Sequence, residues 1–239
     1  MRNKLPMTKI KAILFDFGGT IDTDGVHWSE KYWDAYVACG IDISKEEYEK
    51  AYVAAGDDML EGLLGPDATF RHTLQVQISL QTRILGSKAF LNLNNLSETT
   101  DLLTNWCYAD VVKNIASLKP ILESLKQDYR LVLVSNFYGN MLTVLKEFHI
   151  NDLFEYVIDS TLVGLRKPDP AIWQLAIDKL KLKPEECLVI GDSYSRDIEP
   201  AAHLGCITAW IDGKSWTRPA DTSKANYIIK SLKTFTLKQ

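Results

Sequence analysis

The sequence is poor in the residues that build soft-metal and redox sites. It has only four cysteines and four histidines. Cys39, Cys107, Cys187 and Cys206 show no paired ligand spacing, and His27, His72, His149 and His203 stand apart, so neither a zinc site nor a dithiol motif is written into the chain. Cys187 and Cys206 border apolar runs and read as small core residues, and the histidines read as structural or surface groups. Long apolar runs are also missing. The opening stretch "MRNKLPMTKIKAILFDF" meets Asp16 after a few apolar residues, which is too short for a signal peptide or a membrane helix. Positive charge is not in excess: 27 Lys and Arg stand against 31 Asp and Glu, a formal charge of −4. That balance offers no basic face for nucleic acid. These absences lead to the expectation of a soluble, cytoplasmic chain with no nucleic-acid or membrane partner. They leave the oligomeric state open.

What is present is a rhythm of short, β-rich apolar runs. "KAILFD" (11–16), "RLVLVSN" (130–136), "EYVIDS" (155–160), "CLVIGDS" (187–193) and "CITAWID" (206–212) have the near-continuous hydrophobicity of strands buried on both faces of a parallel sheet. Helical spacing separates them in "NMLTVLKEFHI", "PAIWQLAIDKLKL" and "RDIEPAAHLG", and "NYIIKSL" offers a further edge strand. The alternation predicts an α/β fold with a doubly wound, Rossmann-like parallel sheet and right-handed crossovers. One interval breaks the rhythm. From Asp22 to about Lys126 apolar residues recur at three- and four-residue spacing with no convincing strand, and "NLNNLS" (92–97) reads as a loop. The expected organisation is a core of residues 1–24 and 106–239 with a helical cap, residues 25–105, inserted after the first strand.

Polar residues gather where the strands end: Asp16 after the first, Ser135 and Asn136 after the second, Lys167 in "GLRKPDP" after the third, Asp192 and Asp197 in "GDSYSRD" after the fourth. In open α/β sheets that edge is where ligands bind. Three carboxylates converging on one point repel unless a cation lies between them, and oxygen ligands without Cys or His suit Mg²⁺. With a hydroxyl and a fixed ammonium beside them, they form the equipment of phosphoryl transfer. Taken singly, each has a plainer reading: Asp16 as a strand-end carboxylate, Lys167 as part of a good turn, Asp197 as an acid near a helix start. Their order along the chain carries the argument.

That order, "DFGGT", "SN", "KPDP" and "GDSYSRD", resembles the four motifs of the haloacid dehalogenase superfamily, over about Lys9 to Asp212, with the helical interval in the place of the family's cap. The resemblance implies a Mg²⁺-dependent phosphatase acting on a small phosphorylated metabolite. It implies Asp16 as nucleophile forming an aspartyl-phosphate. Ser135 and Asn136 would hold phosphoryl oxygens, and Lys167 would neutralise charge as both a catalytic and a phosphate-binding residue. Asp16, the Gly18 carbonyl, Asp192 and Asp197 would hold the metal.

The chain departs from the pattern at Gly18, where most phosphatases of this family carry a second Asp that protonates the leaving oxygen. General acid–base help is worth about 10²–10⁴-fold. Its loss favours leaving groups of low pKa, or a proton from Asp22, Asp24 or a cap group. Two alternatives share the motifs: a non-catalytic phosphate-ligand or partner module, and a C–P bond hydrolase using a cap lysine. For the latter, Lys31, Lys45, Lys50 and Lys88 are available, though all read as solvated charges. Trp28, Tyr32, Trp33 and Tyr36 read mainly as cap packing, with Trp28 and Tyr32 near enough the hinge to touch a ligand. Arg166 is a weaker candidate for anion steering.

Overall fold

The structure, a computed structural model, describes residues 10–235. The first nine residues, on which the reading of the N-terminal stretch partly rests, lie outside them. Six parallel strands form one sheet in the order β3-β2-β1-β4-β5-β6. They are β1 (Ala12–Phe15), β2 (Arg130–Ser135), β3 (Tyr156–Asp159), β4 (Cys187–Gly191), β5 (Ile207–Ile211) and the edge strand β6 (Tyr227–Ile229). The order reverses direction between β1 and β4, so a crevice opens there at the carboxyl ends.

Alternation within the strands explains why both faces are apolar. Ala12, Leu14, Val132, Val134 and Val189 pack on one face, against Ile172, Trp173 and Ile177 of α7 (Ala171–Leu180). Ile13, Phe15, Leu131, Leu133, Leu188 and Ile190 pack on the other, in a cluster that runs on without a break into the cap through Phe17, Phe70 and Tyr32. Each such fully buried aliphatic side chain contributes about 1.5–3 kcal/mol relative to exposure.

The interval without strands is helical: α1 (Trp28–Ala38), α2 (Lys45–Asp58), α3 (Phe70–Ser87) and α4 (Leu96–Asp128). Two local expectations are corrected. Residues 93–95 form a short 3₁₀ turn that leads directly into α4, so "NLNNLS" is not simply a loop. Helix α4 runs for 33 residues, straight through the junction expected near 105, and carries its buried stripe from Leu103, Cys107 and Val111 to Ile115, Leu118 and Leu122. It belongs to cap and core at once, packing on α3 at one end and β2 at the other.

The cap is pinned over the strand ends by polar contacts. Asn140 donates to the Ala68 carbonyl at 2.8 Å and to Thr73 Oγ1 at 2.9 Å. Glu147, at the end of α5 (Met141–Glu147), accepts from the Phe70 N–H and from Tyr108 Oη. Asn114 of α4 donates to the Ile21 carbonyl at 2.9 Å, tying the long helix to the turn after β1. No helix among the described residues is long and apolar enough to cross a membrane.

Candidate active site

The turn after β1 is folded on itself. The N–H groups of Thr20 and Ile21 donate to the Phe17 carbonyl at 3.1 and 2.9 Å, which turns the chain back within five residues of the strand. Gly19 has φ +92°, and a Cβ there would lie 2.3 Å from Asp192 Oδ2, so only glycine allows the two loops to meet. Thr20 joins them. Its hydroxyl donates to Asp16 Oδ2 at 3.0 Å and accepts from the Asp192 N–H at 3.1 Å. Thr20 is a site residue the sequence reading passed over, although it closes the "DFGGT" motif.

Lys167 is delivered by the loop after the short helix α6 (Ser160–Val163), and Asn136 fixes that loop. The Asn136 amide donates to the Lys167 carbonyl and accepts the Lys167 N–H, both at 2.9 Å. Its side chain is therefore committed to positioning Lys167, which leaves its main chain as what it can offer a phosphoryl oxygen. The buried Lys167 Nζ donates to Asp16 Oδ1 at 2.5 Å, Asp197 Oδ1 at 2.8 Å and the Val134 carbonyl at 3.0 Å. Burial disfavours its charge, but the Asp16 and Asp197 carboxylates outweigh that and hold its pKa above the ordinary lysine value.

Asp192 follows β4 directly, and Asp197 sits in a π turn, Tyr194–Ile198, with Oδ2 accepting the Ser193 N–H at 3.0 Å. One oxygen from each of Asp16, Asp192 and Asp197 lies within 4.8 Å of the others. Two unit charges about 5 Å apart repel by about 3 kcal/mol at an effective dielectric near 20. Burial and its carboxylate neighbours accordingly push Asp192 well above the ordinary range; burial raises Asp197 to about 6 although Lys167 opposes it. Three carboxylates and one ammonium leave a buried net charge of −2. A hard divalent cation bound by oxygen fits that donor set in charge and in ligand type.

Above this cluster lies a cavity of about 150 Å³ bordered by the seven residues that the four motifs bring together: Asp16, Gly18, Ser135, Asn136, Lys167, Asp192 and Asp197. The roof comes from the cap. Trp28 lies over Gly18: a Cβ built at position 18 would stand 3.5 Å from its Cδ1 and 3.6 Å from its Nε1. The indole N–H donates to Asp22 Oδ2 at 2.7 Å, while Asp22 Oδ1 accepts from the Gly19 N–H at 2.7 Å. Burial raises Asp22 to about 7 against those two hydrogen bonds.

Several expectations change here. Neither Asp22 nor Asp24 borders the cavity, and Asp24 is spent on Ser231 and the Leu232 N–H, so neither reaches a leaving group directly. Lys31 is not a solvated charge: it is buried, paired with Asp110, and 5.0 Å from the Trp106 ring. Among the described residues Lys167 is the one lysine bordering the cavity; Lys31, Lys45, Lys50 and Lys88 all lie elsewhere. His27, grouped at first with structural and surface histidines, lines the cavity and caps α1 by accepting the Ser29 N–H on Nδ1. Tyr52, Tyr138 and Arg196 also line it. No local pattern marks these three, because helix packing and loop crossing bring them to the site.

A family model described as haloacid dehalogenase-like hydrolase matches residues 10–205. The rhythmically expressed gene 2 protein of Drosophila melanogaster is 34% identical over 117 residues, 47% of this chain and 45% of that protein, so the match spans less than half of that relative. Pyrophosphatase PpaX of Listeria monocytogenes is 28% identical over 206 residues, 85% of this chain and 83% of that protein. Among solved structures, a dehalogenase with an intermediate complex superposes with a TM-score of 0.62 at 19% identity, covering 94% of each chain. That likeness establishes the shared fold.

Proposed function

Because the chain belongs to the haloacid dehalogenase-like hydrolases, we propose that it is a phosphatase of small phosphorylated metabolites, working through Asp16 with Mg²⁺ as cofactor. The observation that supports this most directly is the placement of Asp16: one oxygen is held by Lys167 and the other by Thr20, at the floor of a cavity beside two further buried carboxylates. A buried carboxylate without partners is costly; this one has a donor on each oxygen, which fixes its direction toward the cavity. Similarity to pyrophosphatase PpaX over most of both chains points the same way.

In the first step an Asp16 oxygen attacks phosphorus and the bond to the leaving oxygen breaks, giving an aspartyl-phosphate. In the second, water attacks phosphorus, the bond to Asp16 breaks, and inorganic phosphate departs. Lys167 offsets the negative charge gathering between nucleophile and phosphoryl group, and Ser135 lies at the end of β2 where its hydroxyl meets a phosphoryl oxygen. Asp16, Asp192, Asp197 and the Gly18 carbonyl would hold the Mg²⁺, which supplies charge neutralisation for the transferred group. With glycine at position 18 and Trp28 above it, no carboxyl side chain stands at that point to protonate the leaving oxygen. Substrates whose leaving groups depart with little protonation, such as acyl, aryl or anomeric phosphates, are therefore favoured over simple alkyl esters.

The same vacancy is what favours a second reading, a phosphate-ligand binder with little turnover. The phosphonate reading loses its support, since no cap lysine borders the cavity. Four free cysteines are consistent with a cytoplasmic setting. Hydrolysis of p-nitrophenyl phosphate, measured with Mg²⁺, after chelation and in Asp16→Asn, separates the two readings. Turnover that disappears in the last two conditions supports the phosphatase; absence of turnover in the native protein leaves the binder.

A further inference from the structure

Two arginines border the cavity without a counter-charge. Arg166 directly precedes Lys167, and Arg196 directly precedes Asp197, so the same two loops that carry catalytic groups inward carry guanidiniums to the rim. Neither forms an ion pair among the described residues, whereas other exposed cations do, as Lys214 with Asp34 and Arg130 with Glu155. The acid nearest to hand for Arg166 is Asp159, and its oxygens already accept three main-chain N–H groups, from Gly139, Met141 and Thr161. Arg166 instead reaches the Ser160 hydroxyl at 3.3 Å.

The two guanidiniums feel each other. Arg166 is exposed, yet the surrounding protein and the like charge of Arg196 hold its pKa below the ordinary arginine value. Both act on the Tyr138 hydroxyl, and Arg196 acts also on Tyr52 and His27. These groups form the aromatic wall of the cavity, and the floor carboxylates Asp16 and Asp192 act on His27 and Tyr52 from the other side. Arg196 additionally borders an adjoining groove of about 630 Å³, which places it where the two openings meet. Two like charges held near each other at a ligand site cost free energy unless an anion lies between them.

We propose that the substrate carries a second anionic group besides the transferring phosphoryl, and that Arg166 and Arg196 bind it at the rim of the cavity. This deepens the phosphatase reading and rests on it. A carboxylate and a second phosphoryl share the required chemistry, since a guanidinium fork matches either in a bidentate way. The substrate class is thus a phosphorylated small acid or a compound with two phosphoryl groups, short enough that both anions fit between Asp16 and the rim.

The test uses the full chain with Mg²⁺ and three ligands inert to hydrolysis: ethylphosphonate with one anionic group, phosphonoacetate with an added carboxylate, and imidodiphosphate with a second phosphoryl. Affinities are measured by calorimetry on the native protein and on the Arg166→Gln/Arg196→Gln double variant, with Arg196→Lys as a charge-retaining control. A charge-assisted hydrogen bond is worth about 1.5–3 kcal/mol, which corresponds to about 10–100-fold in affinity. At least one doubly anionic ligand is expected to bind the native protein at least about tenfold tighter than ethylphosphonate, with the ratio falling to near one in the double variant and partly kept in Arg196→Lys. Which of the two leads distinguishes carboxylate from phosphoryl. Equal affinities for all three ligands, or a ratio that survives in the double variant, would overturn the proposal. Because these ligands need no turnover, p-nitrophenyl phosphate hydrolysis judges the phosphatase reading separately from the anion site.

Discussion

Restoring a carboxyl group at position 18 tests how the missing proton shapes this site. Gly18 does not lie in the left-handed region, and a Cβ there meets only the Trp28 ring at ordinary van der Waals distance, so Gly18→Asp introduces no backbone clash. Removing glycine's freedom from the unfolded chain gives back about 0.4–1 kcal/mol. The new carboxyl group would stand beside the same cavity as the Asp16 and Asp192 carboxylates, and two unit charges about 5 Å apart repel by about 3 kcal/mol at an effective dielectric near 20. Lys167 and a bound cation offset part of that, and what remains raises its pKa above the ordinary carboxylate value. A carboxyl group raised in this way is a usable proton donor close to neutral pH. Full general-acid help is worth about 10²–10⁴-fold; with Trp28 unmoved, a gain of about 10–100-fold on an alkyl phosphate is expected. An aryl phosphate, whose leaving group needs no proton, should gain less than about threefold. The assay is kcat/KM for ethyl phosphate and p-nitrophenyl phosphate with Mg²⁺ between about pH 6 and 8, alongside the melting temperature. A folded variant in which both substrates rise together, or the alkyl ester does not rise, refutes the reasoning.

The remaining predictions concern stability around the same hinge. Burial and Arg196 lower the His27 pKa to about 4, so it binds fewer protons folded than unfolded. Its contribution is complete above about pH 6.5 and is lost as the pH falls toward 4, amounting to about 2.5 kcal/mol by pH 4.5. Urea unfolding of His27→Asn, which keeps a helix-capping oxygen, should show a shallower loss of stability over that range; parallel curves for the two proteins would rule the titration out. Trp28→Phe removes one of the two donors to the buried Asp22 and should cost about 1–3 kcal/mol, and an unchanged unfolding free energy would mean that this carboxyl group is protonated or wet. At Gly213 a Cβ would lie 1.7 Å from the Gly25 carbonyl oxygen, so Gly213→Ala should lower stability by more than about 2 kcal/mol, and a native melting curve would show that the crossing can part without loss.

The sheet was legible because its signals are local. Val132 and Val134 on one face and Leu131 and Leu133 on the other read as one continuous apolar run, which only a strand buried on both sides explains. The floor of the cavity was legible for the same reason: Asp16, Lys167, Asp192 and Asp197 each follow a recognisable strand, and the parallel fold brings strand ends to one edge. What could not be read is what depends on how the cap lies over that edge. Trp28 has helical spacing whether it packs inward or covers Gly18. Lys31 looks like any helix-face lysine until Asp110 and Trp106, about 80 residues away along the chain, close around it. Arg196 sits one residue from Asp197, but a π turn, which no simple periodicity announces, sets where each side chain goes. The continuity of α4 past residue 105 escaped notice because its apolar stripe has the same spacing on both sides of the junction.

The central claim is that Asp16 carries the phosphoryl group. Its most direct test is acid quenching of the enzyme during turnover of p-nitrophenyl phosphate with Mg²⁺, followed by peptide mapping by mass spectrometry. The account predicts a phosphoryl group on the peptide containing Asp16, sensitive to hydroxylamine as an acyl phosphate is, and absent from Asp16→Asn. Turnover without that adduct in rapidly quenched samples, or an adduct on another residue, would contradict it.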